Sequence, residues 1–368
     1  MIKNVVPFRL KTNRMSYLIS GGDMIDRFLG ETEGQNPFAS QMWIASVVQT
    51  ALGGQKDGCS YLTEEDGGCS FSDFLKENGE ACLGQDFIKV YGHTPGFLLK
   101  LLNSKDRLLV QVHPDKEKAE KYFHLSFGKT EAWYILETEP DEKAYIWAGF
   151  RPGVTRESFQ HLIEIQDTEG ILNQLHRYEI HKGDVILIKA GTPHAMGNHS
   201  LAAEIQEPVD ITLRAERFRP DGSQLSEESM HSGIGIENMI NCFQFQCDDW
   251  ETTKNRIFLN PEKKRAQNME EQILIDSSKL SCFSMSEVKI TGKCEKRNRQ
   301  FVVALVLSGT GTLITEDGEL ELRKGTEFFV PNCCSTYEYQ KQGTEEFRIL
   351  ECYPPVLVKS PNNFDFGE

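Results

Sequence analysis

Gln111-Val112-His113-Pro114, followed by Gly128-Lys129-Thr130-Glu131-Ala132-Trp133-Tyr134, is the stretch around which this chain is organised. Side chains alternate faces along a β-strand. Gln111 and His113 therefore point one way, while Leu108, Val110 and Val112 point the other. In the second segment Lys129, Glu131 and Trp133 share a face, so a carboxylate and an ammonium can converge on the same pocket. Gly191-Thr192-Pro193-His194 offers a second imidazole farther along.

Working outward, residues 97–102, 108–113, 130–136 and 143–150 read as strands, and the charged segment 115–122 as a helix bridging two of them. Apolar residues at helical spacing mark a helical insert, 155–166 and 168–176. Strands resume at 178–180, 184–188 and 201–206. Upstream, residues 1–90 mix short elements, with a strand at 42–48 and a capped helix at 70–78, and do not form a separate domain. Gly21-Gly22 and Gly67-Gly68 lack the strand-to-helix context of a phosphate loop and read as turns. A polar passage at 220–235, a short helix at 236–245 and a charged connector at 260–271 lead to a second strand-rich region, 301–353. Its short strands and turns, such as Asp317-Gly318 and Lys324-Gly325, indicate an antiparallel sandwich or barrel.

The two β regions echo each other. Lys182-Gly183-Asp184-Val185-Ile186-Leu187-Ile188 and Lys324-Gly325-Thr326-Glu327-Phe328-Phe329-Val330 share a basic residue, a glycine turn and an apolar strand. Pro331-Asn332-Cys333-Cys334 follows the second where Gly191-Thr192-Pro193-His194 follows the first. All nine histidines lie at or before His231, so only the first region can hold a histidine-based metal site. The expected division is 1–230 for the metal-binding region, with its insert at about 155–176, and 236–368 for a second β domain lacking histidine ligands.

At 368 residues the chain exceeds what one core usually serves. A net charge of −15 argues against nucleic acid or an anionic membrane as partner. It also requires a cationic pocket for any anionic substrate. The ten cysteines carry no paired C-x-x-C spacing, and Cys242, Cys247, Cys333 and Cys334 are expected to be reduced and structural. The start has no secretory apolar segment and no run of 18 apolar residues occurs, so a cytoplasmic protein is expected.

Gln111, His113, Glu131 and His194 form a mixed nitrogen and oxygen set suited to zinc or a similar divalent ion. One carboxylate and three neutral ligands leave such a site with a net positive charge, and hence a strong Lewis acid. Lys129 and the strand-borne Arg214 are the nearby cations. His124, His176, His181 and His199 are expected at the surface or in structural roles.

These motifs, with Glu204-Ile205-Gln206, Asp210 and Arg214, resemble the type I mannose-6-phosphate isomerases of the cupin superfamily, and most of all their shorter bacterial form. The resemblance covers residues 95–214 well, including Lys100, and the flanks only in pattern. It implies a mainly β fold of two tandem double-stranded β-helix barrels with a helical insert. One zinc ion per chain would be held by Gln111, His113, Glu131 and His194. The implied reaction interconverts mannose 6-phosphate and fructose 6-phosphate, so the partner is a phosphorylated hexose. Lys100, Lys129 and Arg214 are the implied substrate contacts, and Arg214, Lys129 and Asp210 the implied catalytic groups. The proton carrier stays open among Lys129, a water on the metal and a carboxylate.

Four positions depart from the family pattern. Leu109 replaces a serine, Glu207-Pro208-Val209 a polar run, Ile211-Thr212-Leu213-Arg214 the usual Thr-Thr-Tyr-Arg, and Ser20 a tryptophan. They bear on the pocket wall more than on the ligands. Alternatives are a related cupin isomerase with another sugar phosphate, an iron dioxygenase, which Gln111 disfavours, or a non-catalytic metal- or sugar-binding regulator, which Lys129 and Arg214 disfavour.

Overall fold

Short runs of β-branched, leucine and aromatic residues, cut by glycine turns, pair into four antiparallel sheets in the computed structural model, which describes residues 5–16, 20–34, 37–50, 58–219, 222–298 and 300–357. The architecture is mainly β. In the first half a seven-stranded sheet runs in the order Phe258–Leu259, Val185–Ile188, Glu131–Thr138, Ser200–Gln206, Leu98–Leu102, Gln41–Ile44, Arg14–Met15. Facing it is a five-stranded sheet, Leu213–Arg214, Gln111–Val112, His194–Met196, Ala144–Phe150, Leu175–Ile180. Trp133, Ile135, Ile146, Tyr178, Ile186 and Met196 fill the space between them.

Each outer face is covered differently. Val112, Phe150 and Leu213, on the far side of the five-stranded sheet, pack against Phe159 and Ile163 of the helix Arg156–Ile165 and against Phe243. Thr155 starts that helix with a capping box, its hydroxyl accepting from the Ser158 amide. The far side of the seven-stranded sheet, through Leu99, Leu101, Ala203 and Ile205, packs on Phe301, Leu305, Phe329 and Leu350 of the second half. A polar clasp crosses the same layer. The Tyr134 hydroxyl donates to Glu287 at 2.5 Å, and Arg348 makes two 2.7 Å bonds to that carboxylate.

The second half repeats the two-sheet plan. Its seven-stranded sheet runs Phe8–Leu10, Glu327–Val330, Val302–Ser308, Phe347–Tyr353, Ser284–Ile290, Met269–Ile275, Glu262–Ala266. A four-stranded sheet, Lys293–Arg297, Thr336–Gln342, Thr310–Thr315, Gly318–Arg323, closes its core. The first strand of the chain thus lies in the sheet of the second half, with the Phe8 and Phe329 rings stacked at 5.3 Å.

Three expectations are corrected. The connector at 260–271 is instead a β-hairpin, Glu262–Ala266 with Met269–Ile275. Its edge strand is exposed throughout and carries Lys263, Lys264 and Arg265, so it lacks the apolar alternation that marks a half-buried strand. The second insert helix stops at Asn173, and Leu175 already pairs with Phe150 in the sheet. Leu108 does not share the side of Val110 and Val112. Residues 108–110 precede the strand, and Leu108 turns into the inter-sheet core while Val110 packs on the helical side. Ser70 caps Phe71–Leu83 as expected, accepting from Asp73, and Asp115 caps Lys116–Phe123, accepting from Lys118. All ten cysteines are free. No helix among the described residues is long and apolar enough to cross a membrane.

Glu327 is a further polar group in the otherwise apolar packing between the halves, and unlike the clasp it is unpaired. It lies opposite Leu10 and Leu305, is 1 % exposed, and neither carboxylate oxygen has a hydrogen-bond partner. Burial pushes its carboxyl well above the usual carboxylate range. A raised folded-state value favours folding while the proton is held in both states. That contribution is lost as pH rises through the unfolded and then the folded value. Glu327→Met should therefore raise the urea midpoint at pH 8, by about 1 kcal/mol or more of stability, and by less at pH 4. Parallel pH dependences of the two proteins would contradict this account.

Candidate metal centre

The site is built where strands of both sheets begin or end. Gln111, the first residue of its strand, lies opposite His194 on one side and Arg214 on the other. Directly opposed residues share a face, so all three look the same way. Glu131 opens its strand on the facing sheet, opposite Gln206 and Ile188. Backbone bonds then lock the motifs together: Gly191 N donates to His113 O at 2.8 Å, and Lys129 N to Pro114 O at 3.0 Å. At that crossing a Cβ on Gly128 would lie 2.7 Å from Lys116 N and 3.0 Å from Pro114 O, which accounts for the glycine ahead of Lys129.

His113 Nε2 stands 3.1 Å from Glu131 Oε2, and His194 Nε2 3.3 Å from Glu131 Oε1. The three side chains are buried, and their ligand atoms fall within 4.8 Å of one another. A carbonyl can only accept, so the 2.9 Å contacts of His113 Nδ1 with Ile211 O and of His194 Nδ1 with Thr192 O place protons on both Nδ1 atoms. In the neutral rings both Nε2 atoms then present lone pairs inward. Burial, reinforced by Lys129, lowers His113 to about 3, so it stays neutral across ordinary pH. Burial alone would raise Glu131, but the Lys129 ammonium beside it outweighs this and holds the carboxylate well below its usual range.

Lys129 Nζ donates to His113 Nε2 at 3.1 Å and lies 3.2 Å from Glu131 Oε2. The latter contact lacks hydrogen-bond angles, so neither Glu131 oxygen has a donor. A buried carboxylate facing two nitrogen lone pairs, with no proton between them, fits a divalent cation in their midst. Gln111 closes the group, its amide nitrogen 3.1 Å from His194 Nε2.

The other expected residues fall into two groups. Arg214 is half-buried next to Gln111 and donates to Thr212 O at 3.3 Å. Glu204 pairs with Lys100 and Glu216 with Arg107. Asp210 lines a cleft of about 490 Å³ together with Val47, Phe123, Pro208, Val209 and Ile211. Lys100 lies deeper. It is buried, 3.2 Å from Glu204 and 2.6 Å from Gln206 Oε1, over the Trp43 ring. Leu109, also buried, is 7 % exposed. His124 and His199 occupy left-handed turn positions, His176 bonds Asp248 O, and His181 is exposed near Glu179. Gln206 and Trp133 carry no individual signal of a role in the sequence. Trp133 sets its indole edge against the His194 ring at 5.6 Å, and the alternation of Glu204 with Gln206 was the available sign that both face inward.

Comparison with known proteins places the chain in a family. Residues 51–151 match the family model for the phosphomannose isomerase type I catalytic domain, and residues 278–346 that for the mannose-6-phosphate isomerase cupin domain. The probable mannose-6-phosphate isomerase GmuF of Bacillus subtilis is 30% identical over 270 residues, 72% of this chain and 79% of that one. The chain belongs to the mannose-6-phosphate isomerase family. The mannose-6-phosphate isomerase of Streptococcus mutans is 26% identical over 66% of this chain and 70% of its own. In fold, the chain is similar to the crystal structure of the Bacillus subtilis mannose 6-phosphate isomerase, with a TM-score of 0.75 and 22% identity over 95% of this chain and 100% of that one. It is likewise similar to a zinc-bound mannose 6-phosphate isomerase structure, with a TM-score of 0.74 and 15% identity over 96% and 100%.

Replacing Glu131 removes the sole carboxylate of the group. Glu131→Gln should lower divalent-metal affinity at least about 100-fold, beyond the loss typical of a residue that only supports a ligand, in competition with a chromogenic chelator. Unchanged affinity would remove Glu131 from the metal group.

Proposed function

We propose that this protein interconverts mannose 6-phosphate and fructose 6-phosphate, using one zinc ion per chain held by Gln111, His113, Glu131 and His194. The observation that carries the proposal is the donor-free Glu131 carboxylate between two inward-facing imidazole nitrogens, in a chain of this family. A half-turn of the Gln111 amide would present its oxygen to the same centre. Zinc, when bound there, would act as a Lewis acid toward the sugar oxygens.

Moving hydrogen between C1 and C2 of an aldose phosphate takes a proton off carbon and develops negative charge on the adjacent oxygen, as in an enediolate. Lys129, buried against His113 and Glu131, is proposed to stabilise that charge and to hold or move a proton at the sugar oxygen. Arg214, in register with Gln111, is proposed to orient the substrate at the metal centre, and Asp210, on the neighbouring cleft next to Ile211, to accept from its hydroxyls. In a chain of net charge −15 these cations also give an anionic sugar its local attraction. Lys100 stands one layer behind, already paired with Glu204.

The fold reading that goes with this proposal is two double-stranded β-helix barrels in tandem. Register supports it. Glu131 pairs with Ile188 and Trp133 with Glu204, while in the second half Val302 pairs with Val330 and Ala304 with Glu351. Matching the two glycine-turn strands sets Val302 against Glu131 and Thr336 against His194, which leaves the second barrel without the metal set. The expected units 1–230 and 236–368 then exchange segments at both ends: Phe8–Leu10 joins the sheet of the second, while residues 236–259 pack on the first through Met239, Ile240, Phe243 and the strand Phe258–Leu259. The free thiols fit a reducing compartment such as the cytoplasm.

A related aldose phosphate as substrate is the second reading, favoured by the apolar wall of Val47, Phe123, Pro208, Val209 and Ile211. An assay coupled to fructose 6-phosphate formation separates the two. Mannose 6-phosphate should turn over, a chelator should abolish the activity, and zinc should restore it. Lys129→Met and Arg214→Met should each reduce kcat/KM about 100-fold or more with metal content retained. Zinc-loaded protein that converts another aldose phosphate but not mannose 6-phosphate would transfer the proposal to the second reading; no turnover of any would reject both.

A further inference from the structure

Gln206 is fully buried and lies directly across the sheet from Glu131. Its Oε1 accepts from Lys100 Nζ at 2.6 Å, and its Nε2 donates to Val209 O at 2.5 Å and Glu207 O at 3.3 Å. Lys100 carries donors only, so the amide has one admissible orientation, oxygen toward the ammonium and nitrogen toward the two carbonyls. The ammonium is itself fixed by Glu204 Oε1 at 3.2 Å, and Glu204 Oε2 receives Trp133 Nε1 at 3.2 Å. Charge and protons in this buried unit are matched.

The two carbonyls belong to the turn at 207–211. Val209 N donates to Glu207 O at 2.7 Å, and Thr130 N to Glu207 Oε2 at 2.8 Å, which ties the turn to the strand that bears Glu131. Two residues beyond Val209, Ile211 O receives His113 Nδ1 at 2.9 Å. Pro208, Val209, Asp210 and Ile211 of the same turn line the cleft.

We propose that Gln206 is a positioning residue that anchors the 207–211 turn to the buried Lys100–Glu204 pair, and so sets both the ring orientation of His113 and the wall of the cleft. Lys100 thereby acts through Gln206 rather than on substrate. The inference rests on the zinc reading above. A partner that orients a ligand imidazole typically contributes 10- to 100-fold to metal affinity, and Gln206 stands one bond network farther out.

The test uses the full chain with Gln206→Met, which keeps the side-chain length and loses every hydrogen bond, and Gln206→Glu, which keeps the acceptor for Lys100 and loses the donor to Val209. Zinc affinity is read by chelator competition, and KM and kcat for mannose 6-phosphate at saturating zinc. Both variants should bind zinc about 10-fold more weakly and raise KM more than they lower kcat. Should Gln206→Met fail to fold, Gln206→Glu decides alone by the same two readouts. Wild-type zinc affinity and KM in the folded variants would overturn the inference alone; wild-type protein that binds no zinc would overturn it together with the zinc reading.

Discussion

Glu131 places a carboxylate with 1 % of its surface exposed between two imidazole nitrogens that both carry lone pairs. Removing an ion from water costs on the order of several kcal/mol even after the surroundings relax, and lone pairs offer no compensation. Lys129 supplies one positive charge at the edge of this group. What stays unmet is the bonding capacity of the two Glu131 oxygens, which a cation at the centre would satisfy. The carbonyls of Ile211 and Thr192 keep it unmet by taking the Nδ1 protons of both histidines.

Much of the fold can be seen as the apparatus that makes this arrangement rigid. The five-stranded sheet carries Gln111, His194 and Arg214 in one row, and the seven-stranded sheet presents Glu131 against them. Helices brace the outer face of the first sheet, and the second half of the chain braces the second. The Tyr134, Glu287 and Arg348 clasp lies three residues along the strand from Glu131. The chain belongs to the mannose-6-phosphate isomerase family, and Pro208 and Val209 make part of its cleft wall apolar.

Strand alternation, legible in the sequence, brought Glu131 and Gln111 to facing positions, and Lys129 and His113, which lie just outside the strands Glu131–Thr138 and Gln111–Val112, continue the same facing. It misplaced Leu108, since the segment before Gln111 is not a strand and owes no alternation. The hairpin at 262–275 was hidden for the opposite reason: its edge strand is paired on one side, exposed throughout, and carries the charges that solvated edges favour. Lys100 and Gln206 were visible as residues but not as a unit. Their meeting depends on strands brought together from distant parts of the chain, and a lysine flanked by leucines does not announce a buried partner such as Glu204. Glu327 likewise occupies a strand position whose burial comes from Phe8–Leu10, at the other end of the chain.

The central claim is that one zinc ion sits among Gln111, His113, Glu131 and His194. Crystals grown with zinc and measured on both sides of its X-ray absorption edge test this directly. The account predicts a single strong anomalous peak per chain, bonded by His113 Nε2, His194 Nε2, a Glu131 oxygen and the Gln111 amide oxygen, at about 2.0–2.2 Å from the nitrogen and carboxylate ligands. A peak elsewhere, or none at this centre in zinc-saturated crystals, would contradict it.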